Sequence, residues 1–181
     1  MGFVAVDYYG VTPIGPEMFP CVLLRWAERG RVLPIWVTAS SADELDVRDA
    51  GLTPRRPTSH DLLVSAYEGL GGVQEIRIVS HYRGVFIASL VLGSGEEVDA
   101  RASDAMIIAR IADIPILVDE DILNESTLFV SAPDLARYFD IVVDDIPEQS
   151  ESASGDDQAD ADFEELMRSL GVSEDDLRGR D

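Results

Sequence analysis

The sequence predicts an α+β fold: one globular domain with a mixed or antiparallel sheet and flanking helices, followed by an acidic C-terminal tail. Three observations carry that expectation. Strand-like runs pair across turn signals, Cys21 to Trp26 with Val32 to Val37 across Glu28-Arg29-Gly30-Arg31, and Val73 onward with Val85 to Leu92 across Tyr82-Arg83-Gly84. Helical patterns are interleaved with these hairpins, without the strand-helix-strand alternation of a doubly wound sheet. At Pro147 the composition breaks into Ser, Asp, Glu, Gln and Gly, which cannot bury enough apolar surface to fold. The expected division is therefore a domain at 1–146 and a tail at 147–181.

Composition and charge restrict the function classes. With 181 residues, 46% of them hydrophobic, the chain can build a sizeable core. Fourteen arginines and no lysine stand against 35 acids, for a net charge of -21. Such a surface repels polyanions, so any nucleic-acid contact has to come from a local arginine cluster. The single Cys21 excludes an intrachain disulfide framework and is expected to pack as a small hydrophobe. The N-terminus lacks a basic region and no apolar run reaches membrane-span length. We expect a soluble, cytoplasmic protein with no membrane contact.

The elements follow in chain order. Phe3 to Tyr9 is β-rich, and the proline-containing stretch Val11 to Pro20 reads as a connection. After the first hairpin, Thr38 or Ser40 can cap a polar helix that stops at Gly51. Pro54 and Pro57 then fix an extended loop through Arg55 and Arg56. Thr58 starts the next helix, with Asp61 at the capping-box position and Leu62, Leu63, Ala66 and Leu70 on one apolar face up to Gly71-Gly72. Beyond the second hairpin, Gly93-Ser94-Gly95 turns into a strand at Glu97 to Arg101, and Ser103 is placed to cap a buried helix from Asp104 to Ala112. Pro115 to Val118 reads as a short buried strand, Asp119 to Ser126 as an acidic connection, and Ser131 as the cap of a helix through Leu135 and Phe139. Strands at Val22–Leu24 and Ile35–Val37 are apolar on both sides, which predicts a homo-oligomer that buries one face. In the tail, Phe163, Leu166, Met167 and Leu170 give a short amphipathic segment near 162–170 that could dock on a protein partner.

The chemistry-bearing residues fall at two loop-to-helix junctions. In Pro54–Leu63, Arg56 can grip a phosphate, His60 can carry a proton near neutral pH, and Asp61 can orient it. In Asp99–Ala109, Arg101 is a second phosphate-binding candidate and Ser103 a polar contact, while Asp99 and Asp104 could hold a hard cation such as Mg²⁺ or Mn²⁺. Each has a bland alternative. Asp61, Ser103 and Asp104 favour helix N-termini for their own sake, and the arginines can tie loops together by pairing with those acids. We expect the two junctions to meet in space.

These stretches also carry a resemblance. LPIWV at Leu33–Val37, PRRPTSHDLL at Pro54–Leu63, GVFIASL at Gly84–Leu90, DARASDAMIIA at Asp99–Ala109 and PILVDEDIL at Pro115–Leu123 occur in the order and spacing of the bifunctional nuclease domain family of bacteria and plants. The chain resembles that family from about Met1 to Glu125. The resemblance implies phosphodiester hydrolysis in DNA and RNA, with Arg56, His60, Asp61, Asp99, Arg101, Ser103 and Asp104 at the matching positions and His60, Asp61 and Asp104 in the catalytic roles. Two departures stand out: Ser41 replaces a family carboxylate, and Ala102 a usual proline. The first keeps a second function class in view, a non-catalytic interaction or regulatory module built on the same fold with an acidic tail.

Overall fold

One mixed sheet of eight strands organises the molecule, in the order β6-β5-β4-β7-β1-β2-β3-β8. The computed structural model describes residues 2–139 and 141–142. Its strands are β1 (Phe3–Ile14), β2 (Phe19–Trp26), β3 (Arg31–Trp36), β4 (Val73–Tyr82), β5 (Val85–Leu92), β6 (Glu97–Arg101), β7 (Ile116–Asp119) and β8 (Leu128–Phe129). The helices are α1 (Ala39–Asp49), α2 (Ser59–Tyr67), α3 (Ala102–Ala112), α4 (Glu120–Ser126) and α5 (Ala132–Phe139). Among the described residues only β4 and β7 pair in parallel; the other ladders are antiparallel. The α+β expectation holds.

Strand alternation sends one set of side chains to a main core. Val22, Leu24, Leu33, Ile35, Ile76, Ile78, Ala88, Leu90 and Val118 meet the buried α3 residues Ala105, Met106, Ile107 and Ile108. Helix α3 packs against both α1 and α2, so these three helices form a layer over that face. A second cluster sets Cys21, Leu23 and Val32, on alternate positions of β2 and β3, against Ile14 of β1, Leu135 of α5 and Val130. Burial pushes the Cys21 thiol up to about 12. Both faces of β2 and β3 are thus largely covered within one chain, with Phe19 and Trp36 left exposed at their ends.

Several boundaries differ from expectation. Val11 to Pro20 is mostly strand: β1 runs to Ile14, and Pro13 pairs with Pro20 across the ladder. Two residues that cannot donate face each other, so the prolines there disturb the ladder less than one proline opposite a donor. A register shift between Tyr8 and Val11, with Gly10 at φ +84°, bends β1 within its β2-paired part, beyond the Phe3–Val6 stretch that pairs with β7. Asp119 to Ser126 is no mere connection. Asp119 accepts from the Asp121 amide and caps α4, with Glu120 and Asp121 in its first turn, and Ile122 and Leu123 are buried beneath it. Helix α2 departs in packing: Leu62, Leu63 and Leu70 are exposed, and Val64 and Tyr67 are the residues that meet the core. The residues from 143 onward, including the amphipathic segment near 162–170, lie outside the described set.

Candidate active site

Three helices bring their polar groups to one place. Helix α2 begins with a complete capping box: the Thr58 hydroxyl accepts from the Asp61 amide at 3.4 Å, and the Asp61 carboxylate accepts from the Thr58 amide at 2.7 Å. That geometry puts His60 in the first turn, turned toward α1 and α3. From α1, Glu44 Oε2 lies 3.0 Å from His60 Nδ1. From the start of α3, Asp104 Oδ1 lies 3.4 Å from His60 Nε2. Arg101 closes the chain of contacts, its Nε and Nη2 both donating to Asp104 at 2.7 Å. The two sequence motifs therefore meet, at His60 and Asp104, as expected.

A second branch secures the base of the site. Arg48, one helical turn after Glu44, donates to Asp61 at 2.8 Å and to the Thr58 hydroxyl at 3.3 Å. The Thr58 hydroxyl lies 2.8 Å from Glu44 and 3.0 Å from Asp61, so its one proton serves one of the two carboxylates at a time. Burial alone would raise the Asp61 carboxyl, but the Arg48 guanidinium and the Thr58 amide and hydroxyl outweigh it, and the net shift is downward. Asp104 behaves alike: burial raises it, and the bonds and charges of Arg101 and then His60 carry it below the usual carboxylate range. Exposure grades across the network, from 8% for the Arg48 side chain through 16% for His60 to 73% for Arg101. The ring thus sits behind an open guanidinium.

The expected residues divide. His60, Asp104 and Arg101 come together. Asp61 makes no hydrogen bond to His60; it belongs to the capping box under Arg48, and Glu44 holds the imidazole in its place. Arg55 and Arg56 are exposed in the loop before α2, with no ion pair among the described residues. Ser103 does not cap α3, which starts at Ala102 with Arg101 in the cap position and no side-chain cap bond. It is half-buried in the first turn. Asp99 is exposed on β6, on the strand face opposite Val98 and Ala100, which pack against the core. Of the two acids expected to hold a cation, Asp104 accepts from Arg101 with both oxygens, and the described residues hold no group of three or more His, Cys, Asp or Glu placed for a metal ion.

Glu44 and Arg48 were missed because α1 read only as a polar helix. The signal existed: Ser41, Glu44 and Arg48 fall at spacings of three and four, hence on one helix face. Ser41 itself is buried and shares a 3.0 Å contact with the capping Thr38 hydroxyl.

Comparison with known proteins bears on the same residues. The model of the bifunctional nuclease domain matches residues 22–131, which span β2 through Ser131 and so include all of Glu44, Arg48, His60, Arg101 and Asp104. The chain belongs to the bifunctional nuclease domain family. Its similarity to individual proteins is wider than the domain. It is 33% identical over 179 residues to "Uncharacterized protein MT1877" of Mycobacterium tuberculosis strain CDC 1551 / Oshkosh, covering 98% of this chain and 99% of that one. The same figures hold for "Uncharacterized protein Rv1829" of strain ATCC 25618 / H37Rv. The full-length match takes in β1, which lies outside the domain match yet holds the two halves of the sheet together, and it extends into the acidic tail. No helix among the described residues is long and apolar enough to cross a membrane.

Proposed function

We propose that this family member hydrolyses phosphodiester bonds in DNA or RNA at the surface where Arg101, Asp104 and His60 meet. The observation that carries the reading is the ordered imidazole, gripped at Nδ1 by Glu44 and facing at Nε2 the Asp104 carboxylate, which in turn holds an exposed arginine. Hydrolysis requires charge stabilisation at phosphate and a proton moved from water or to the leaving oxygen. Arg101 serves the first need, assisted by Arg55 and Arg56 on the neighbouring loop. With its Nδ1 proton donated to Glu44, the proton that His60 exchanges is the one at Nε2, which faces Asp104 at 3.4 Å. Asp104 holds Arg101 in bidentate geometry until a phosphate competes for the guanidinium. No step is routed through a metal ion; Asp104 acts here through Arg101.

A second reading rests on the same network viewed as a closed structure. Arg48 is nearly buried and Asp104 is fully engaged, as a non-catalytic interaction module would keep them. The test is direct: purified full-length protein with end-labelled single-stranded DNA and RNA, with and without Mg²⁺ or Mn²⁺. Cleavage of either polymer supports the nuclease reading. Intact substrate under every condition would leave the module.

A further inference from the structure

The tip of the β4–β5 hairpin carries exposed groups that neither the core nor the His60 network uses. Tyr82 pairs with Val85 across the two-residue turn Arg83-Gly84, whose φ values are +51° and +79°. Two positive φ values are the mark of a type I′ turn, which follows the strand twist and makes a tight tip. Tyr82 and Val85 are more than 60% exposed and Ile87 is 36% exposed. The Arg83 guanidinium lies 5.1 Å from the Tyr82 ring centroid. On the core side, His81 stacks on Phe86 at 4.1 Å and sits 3.1 Å from the Ser126 hydroxyl, which ties the tip to the end of α4. The exposed ring therefore stands on an anchored base.

Ladder register connects this tip to the candidate active site. Ile87 pairs with Arg101, so Arg101 stands two residues, about 7 Å along the strand, from the position of Val85. Tyr82, Val85 and Ile87 share the face opposite Ala88 and Leu90, and cross-strand partners share a face. A strip results, apolar and aromatic in the middle, with Arg83 at one end and Arg101 at the other. In a chain of net charge -21, such local guanidiniums are what a polyanion can grip.

We propose that the strip is a subsite for single-stranded nucleic acid, with an unpaired base on Tyr82 and the flanking phosphates taken by Arg83 and Arg101. The proposal rests on the phosphodiester reading, because the Arg101 end leads to His60. A single strand fits because stacking on an exposed ring needs a free base face, which a duplex withholds. A protein partner would have to cover two guanidiniums and only a few apolar side chains.

Fluorescence anisotropy on the full-length His60→Ala protein tests this, using labelled single-stranded DNA, single-stranded RNA and duplex DNA. Single strands of at least one sugar type should bind more tightly than the duplex. Tyr82→Ala added to that background should weaken single-strand binding about tenfold, as loss of one stacked base does, while Tyr82→Phe retains it. Arg83→Ala should lower the slope of log affinity against log salt by about one phosphate contact. Equal affinity of Tyr82→Ala and its parent, a duplex bound as well as a single strand, or no binding of any nucleic acid would overturn the subsite. Cleavage by the wild type that ignores Tyr82 and Arg83 sinks the strip alone. Single strands held by the strip of a protein that never cleaves sink the phosphodiester reading alone. Because the side chains changed are exposed, an unaltered thermal melt is expected and separates loss of binding from loss of fold.

Discussion

At the residue scale, the site depends on a carboxylate that no motif pointed to. Glu44 reaches both His60 and Thr58, so a neutral glutamine there removes the charge that holds the Nδ1 proton and can turn a donor instead of an acceptor toward the ring. We expect Glu44→Gln to lower the rate of any cleavage while leaving substrate binding close to wild type, read as kcat against KM. Asp61 and Asp104 set an acid dependence. Both carboxyls titrate lower in the folded chain than the unfolded value of about 3.9, so the stability they contribute is complete above that pH. It is lost as the pH falls through their lower folded-state values. An acid titration followed by circular dichroism should show Asp61→Asn with a flatter acid limb than the wild type; identical limbs would mean that the Arg48 bond contributes nothing. The sequence showed His60, Asp104 and Arg101 plainly, because each stands in a compact motif. It hid Glu44 and Arg48, because their importance comes from the way α1 is laid across α2 and α3, and a polar helix face gives no sign of what will be packed on it.

At the element scale, local chemistry decided most starts and tertiary packing decided the faces. The Thr58 capping box and the Tyr82-Arg83-Gly84 turn formed as their residues dictate. Apolar spacing on α2 did not dictate its orientation, since the capping box and the Arg48 bond fix the helix by its polar end and leave Leu62 in solvent. Leu62→Ser should accordingly change stability by no more than about 0.5 kcal/mol, as surface substitutions do. Met106→Ala, at a fully buried position of α3, should cost about 2–5 kcal/mol. Thr58→Ala should cost about 1 kcal/mol through the lost cap. Urea unfolding of the three variants checks the order; a larger loss for Leu62 than for Met106 would mean that α2 buries its leucines. The α4 helix escaped notice because Asp119, Glu120, Asp121 and Glu125 look like a loop until Ile122 and Leu123 between them find a core.

At the scale of the whole molecule, the long bent β1 joins an open half-sheet, β4 to β7, to a half covered on both faces. The candidate site sits over the open half, at the end where β6 feeds α3, and the hairpin tip lies beside it. In so negative a chain, these arginines are the kind of surface that can meet a phosphate backbone. The acidic tail from Pro147, with twelve acids against three arginines, should compete with a polyanion for them. Removing residues 147–181 should tighten nucleic-acid binding, most visibly at low salt, and unchanged binding at low salt would count against this role. Whether His60 moves the proton in phosphodiester cleavage is decided by the single-turnover cleavage rate of His60→Ala beside wild type on one labelled single strand. A loss of about 10²–10⁴-fold with the fold intact is expected, as removal of a general acid or base gives; cleavage by the variant at the wild-type rate would contradict the role assigned to the imidazole.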